Sequence, residues 1–142
     1  MSIGEDIPML IPTSIVLVTF ILFVMSLFGS FSEKFDAARM SQASLTTGDY
    51  LVNVRFSTGT GELDLDGLGN DFTFCRDIAQ INITSNYQLA INISDASGRY
   101  WCWDNTNSFS REPRTQITNI LPVLLSNSTD TINGQVKISV GK

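Results

Sequence analysis

Residues 13–28 read TSIVLVTFILFVMSLF, a run with no charge, no glycine and no proline. Leu, Ile, Val, Phe and Met fill nearly all of it. Ile7, Met9, Leu10 and Ile11 extend it upstream and Phe31 downstream, to about 20–25 residues, enough for a helix to cross the hydrocarbon core of a bilayer. Other readings compete with a membrane span. A buried core helix is seldom apolar on all faces for so long in a chain of 142 residues. A cleaved signal peptide has a basic start and a shorter apolar run, whereas this chain starts MSIGED; 29–32, GSFS, is only a weak cleavage region. A helix packed among identical helices in a filament has the same composition as a bilayer span. The segment is therefore expected to span a membrane or to lie in a filament core.

The remaining residues suffice for one small domain with its own core. Net charge is −5 with 16% charged residues, and no basic stripe interleaved with aromatics occurs, so nucleic acid is not an expected partner. Abundant Ser, Thr and Asn suit an extracellular surface that stays soluble through hydroxyls and amides. The chain has no His, which removes the Ser-His-Asp, Cys-His and His-zinc chemistries. Glu62, Asp64, Asp66, Asp71 and Asp77 lack a partner base, so neither catalytic residues nor a cofactor is expected. Cys75 and Cys102 are not a CxxC motif. In an exported domain they form one disulfide, worth about 3 kcal/mol in the chain-entropy model; in a reduced compartment they are two buried thiols.

Working outward from the apolar run, Pro12 fits the first helical position, with Glu5 and Asp6 near the positive end of the helix dipole. The alternative for 1–11 is a frayed or interfacial segment. Downstream, Phe28, Phe31, Phe35 and Ala38 recur at helical spacing. The helix is expected to continue to about Leu45 and stop at Thr47-Gly48-Asp49, with Gly48 as its C′ residue. Lys34 and Arg39 would hold the following part in the cytoplasm, but Glu33 and Asp36 balance them.

From Tyr50 the period changes to 2: Tyr50, Val52, Val54 and Phe56 alternate with polar or smaller residues, predicting a strand. Alternation returns over 62–66. Strands over 79–83 and 87–93 are expected to form a hairpin around Thr84-Ser85-Asn86. Further strands are expected at 99–103, at 116–125 with Pro122 at an edge or bulge, and at 135–140 after an Asn133-Gly134 turn. Trp101 and Trp103 are assigned to opposite faces of their strand, one in the core and the other at a rim. The fold class is α+β: a long N-terminal hydrophobic helix with its amphipathic extension (1–47), then a small antiparallel β-sandwich (48–142).

Two surface features point to chemistry. Residues 64–71 begin D-x-D like a calcium loop, but Leu68 holds a ligand position and no Glu closes it, so an acid-and-Gly turn is the expectation. Asn82, Asn92 and Asn127 begin Asn-x-Ser/Thr sequons, acceptors for N-glycosylation on solvent-facing positions of an exported domain. Asn82 and Asn92 are placed on the two strands of one hairpin. Sequons and cysteines together outweigh the weak charge signal and place the domain outside.

A long N-terminal apolar helix that becomes amphipathic, followed by a β domain, resembles archaeal type IV pilins and archaellum proteins. Glu5 coincides with the acidic position that, in mature type IV pilins, pairs with a neighbour's N-terminus. The pilin precursors carry a short basic leader, so on this resemblance Met1 is already mature or never processed. Pro8 and Pro12 interrupt the early helix, unlike the family pattern. The resemblance implies self-assembly through the helices, with Glu5, Phe28, Phe31 and Phe35 as contacts and no enzymatic role. The alternative is a membrane anchor whose β domain binds an envelope or pilus-machinery partner, as archaellum stator proteins do.

Overall fold

The structure, a computed structural model, describes residues 7–59, 61–70, 72–105 and 115–142, with the backbone alone for 7–11. Helix α1 runs without interruption over Ile7–Tyr50. It does not stop at Gly48. Instead it widens into a π-helical turn, Leu51–Arg55, so the strand expected from Tyr50 is absent. The reason lies in which residues meet the core. Leu51, Val52 and Phe56 are buried while Val54 is 66% exposed, a pattern that a wide helical turn satisfies and a period of 2 does not. The chain divides into two compact units inside α1, residues 1–37 and 38–142.

In the second unit, α1 lies against a sheet through Met40, Ser44 and Gly48. These follow one another at i, i+4 and i+8, one helical face. Leu45, the expected end of the apolar stripe, is 53% exposed. Gly48 serves close approach rather than capping: a Cβ there would come within 2.5 Å of Leu121 Cδ1 and 3.1 Å of Ile138 Cδ1.

The sheet has seven strands: β1 Ser57–Gly59, β2 Glu62–Asp64, β3 Arg76–Asp77, β4 Gln88–Asp95, β5 Tyr100–Asp104, β6 Gln116–Ser126 and β7 Thr131–Gly141. Their order is β1-β2-β6-β7-β4-β5-β3. The α+β class holds, but the fold is neither a sandwich nor purely antiparallel. It is one curled sheet in which β2 joins β6, and β3 joins β5, in parallel. Helical and irregular segments cover its inner face where a second sheet was expected: Met40, Leu51, Phe56, Leu65, Leu68, Ile78 and Ile81 close over Ile91, Ile93, Trp101, Val136, Ile138 and Val140.

Local chemistry explains the other departures. Alternation over 62–66 ends at Asp64, whose carboxylate caps a short helix α2, Leu65–Leu68, by accepting from Asp66 N at 3.0 Å. Residues Ile78–Ile81 form a 3-10 turn capped by Asp77, because Ile78 and Ile81 both reach the core. No hairpin therefore joins 79–83 to β4. Asn133-Gly134 lies within β7; the turn falls four residues earlier, where Asn127 Oδ1 accepts from Thr129 N, Thr129 Oγ1 and Asp130 N. An Asx turn outcompetes the Asn-Gly signal there. Pro122 does sit on an open edge, since β2 accompanies β6 only along 124–126.

The Asp95–Arg99 turn joins β4 to β5 and is the most heavily bonded in the described residues. Asp95 Oδ1 accepts from Ser97 N, Ser97 Oγ and Arg99 N at 2.7–2.9 Å, and Oδ2 pairs with Arg99 Nε at 2.6 Å. Burial opposes ionisation of this carboxyl, but the bonds from Ser97 and Arg99 and the Arg99 charge outweigh it and hold the carboxyl below its ordinary 3.8. A depressed pKa means stability present above the unfolded value and lost as pH falls through the folded one. Asp95→Asn is thus expected to melt lower at pH 7, by about 1.5–3 kcal/mol. Its melting temperature should also fall less than the parent's between pH 5 and 2. Parallel melting curves at every pH would contradict this account of the turn.

Candidate functional site

The first unit offers the most unusual surface in the molecule. Ile15, Val16, Leu17 and Val18 are successive and all exposed, as are Phe20, Leu22, Phe23, Met25 and Leu27. Four consecutive positions cover most of a helical turn, so the apolar surface runs around the whole helix. Water does not solvate such a cylinder cheaply. The helix is long and apolar enough to cross a membrane. Thr13, Ser14, Thr19 and Ser26 are the polar side chains within the run, and Thr19 Oγ1 donates back to Ile15 O at 2.8 Å, the usual way to satisfy a hydroxyl in an apolar helix. Pro12 lies inside the helix rather than at its first position, where it removes one backbone bond toward Pro8.

Beyond this cylinder the surface becomes one-sided. Phe28, Phe31 and Phe35 are 74%, 76% and 55% exposed and with Leu27 and Ser32 line an apolar groove along the helix. Ser30, Glu33, Lys34 and Asp36 interleave with them. The structure therefore brings three of the four expected assembly contacts onto one surface; Glu5 lies outside the described residues.

In the second unit, Cys75 and Cys102 form the expected disulfide, with Cα atoms 4.5 Å apart across 27 positions. Trp101 and Trp103 share one face, as residues two apart in a strand must, and both are buried, at 1% and 3%; neither is a rim residue. Trp103 is flanked by Phe72 at 5.2 Å, edge-on, and Phe56 at 5.6 Å.

The sequons differ in setting. Asn82 is exposed at a left-handed φ of 58° after the 3-10 turn. Asn127 sits at the β6–β7 turn with its Oδ1 occupied. Asn92 lies mid-strand in β4, paired to β5 and β7 on either side, and takes the Tyr100 hydroxyl at 2.7 Å. Asn82 and Asn92 thus do not share a hairpin. No family model, curated protein or solved structure matches this chain. Among the described residues no three His, Cys, Asp or Glu side chains are grouped to hold a metal ion; Asp71 of the D-x-D segment lies outside them.

The sequence missed the Asp95 network. Its signal, Asp95 followed by Ser97 and then Gly98, is an Asx-turn pattern.

Proposed function

We propose that this chain is an exported structural subunit of a surface filament of the type IV pilus kind, its N-terminal helices packing on one another and its sheet domain outside that core. The one-sided Phe28–Phe31–Phe35 stripe supports this reading. Lipid covers a helix on all sides, whereas an apolar stripe between charged positions calls for a partner that presents a matching stripe. A second copy of the chain supplies one by construction. The reading assigns no catalytic role and no cofactor.

A photo-crosslinking residue at position 31 tests it directly. Self-assembly is expected to give a ladder of dimers and higher oligomers of this chain alone. Monomer carrying only lipid adducts would move the function to the second reading, a single-span anchor whose sheet domain binds an envelope partner. The all-round apolar surface over 15–27 favours that reading, since a bilayer solvates all faces equally.

Export also brings the sequons into play. Peptide mapping of the native protein is expected to find N-linked glycan at Asn82 and Asn127 and none at Asn92, whose backbone is held between two paired strands and cannot bend into a transferase's site once folded. Occupancy at Asn92 with the other two bare would contradict this ordering.

A further inference from the structure

We propose that residues 72–77 form a redox-sensitive latch, locked by Cys75–Cys102, that closes the β5 edge of the sheet and opens locally on reduction while the rest of the domain stays folded. This holds whichever functional reading is correct.

The segment lies between two buried anchors, Leu68 before it and Ile78 after it. Between them its own burial is slight. Thr73, Phe74, Cys75, Arg76 and Asp77 are exposed, Phe74 at 83%, and only Phe72 is half-buried. Among the described residues, few contacts other than the disulfide hold it down. Phe72 N donates to Tyr100 O at 2.8 Å, β3 pairs with β5 over only two residues, and Arg76 stacks on Phe72 with its Cζ 3.8 Å from the ring centroid. The Arg–aromatic stack lies on an exposed side chain, where such contacts contribute little. The disulfide is therefore the main tether, and its two halves differ: Cys75 is exposed and Cys102 is 1% exposed. A thiolate reaches the bridge from the Cys75 side.

What the latch covers is specific. Phe72 packs edge-on against Trp103, and β3 is the outermost strand beside β5. Releasing it uncovers an unpaired strand edge bearing two buried tryptophans, a surface prone to pairing with another chain. Most of the core that holds the domain lies elsewhere, in β4, β6, β7, α1 and the anchors.

The chemistry balances with a dithiol as reductant. Its first thiolate attacks Cys75 Sγ and breaks the S–S bond, leaving Cys102 as thiolate, which takes up a proton. The second thiol then displaces Cys75 Sγ, the reductant closes to its own cyclic disulfide, and two cysteine thiols remain.

The two tryptophans of the chain make the test direct. The full chain in nonionic detergent is treated with dithiothreitol, and iodoacetamide mass addition counts the thiols. Tryptophan quenching by acrylamide is expected to rise severalfold on reduction, with the far-UV circular dichroism unchanged. The double variant Cys75→Ser with Cys102→Ser should quench like the reduced parent. Three results would overturn the latch: a bridge that resists dithiothreitol in the folded protein, quenching unchanged after both thiols alkylate, or collapse of the circular dichroism with reduction.

Discussion

Phe35→Asp is expected to abolish filaments or shorten them drastically while leaving the melting of the sheet domain unchanged. Phe35 belongs to the first compact unit and is 55% exposed in the single chain, so in the filament reading it is assembly that takes it out of water. Each fully buried Phe contributes about 1.5–3 kcal/mol by transfer, repeated at every subunit. An aspartate in its place must be desolvated without a partner, which adds a further penalty. In the anchor reading the same substitution lies near the headgroups, and membrane retention survives because 15–28 still spans. Normal assembly of the Phe35→Asp protein would defeat the filament reading.

Gly134→Val carries the largest expected effect on stability. A Cβ there would lie 2.9 Å from the Ser94 carbonyl oxygen and 2.7 Å from Leu125 Cδ1. Leu125 is fully buried and its Cγ is also within 2.9 Å, and the β4 backbone, paired with β7 along its whole length, cannot move aside. Overpacking against fixed backbone costs about 3 kcal/mol, a fall in melting temperature on the order of 10–20 °C for a domain of this size. Asn133→Thr separates this from a turn requirement. In a hairpin turn it would be harmful, whereas at an exposed strand position it should be neutral. A damaging Asn133→Thr together with a tolerated Gly134→Val would restore the turn.

Features written in local chemistry were legible in the sequence. The uncharged run over 13–28 announces a helix that water cannot cover. The alternation in 87–93, 116–125 and 135–140 marks β4, β6 and β7, and Cys75–Cys102 is bridged as expected. The failures occur where tertiary packing decides between two local options. Val52, Val54 and Phe56 alternate like a strand, yet Leu51 and Val52 are both needed in the core, and only a helical turn delivers adjacent residues to one face. Gly48 and Gly134 look like a cap and a turn because glycine permits both. Their absent Cβ atoms instead admit Leu121 and Ile138 in one place and the Ser94 carbonyl in the other. The sandwich failed for a related reason. Nothing local shows that 38–56 folds back as the second layer, since Ser44 and Gly48 are not apolar and form a packing face only by being small. At the candidate site, Phe28, Phe31 and Phe35 were visible from spacing alone, because an isolated helical stripe depends on no distant contact.

The central claim is that the apolar helix is covered by copies of itself. Shearing intact cells and separating the released material from detergent-solubilised membranes measures this most directly. The filament account predicts this chain in the sheared fraction, as long polymers by negative-stain microscopy, with the Phe35→Asp protein confined to membranes. Recovery of the unmodified chain only from detergent-solubilised membranes, as a monomer, would contradict it.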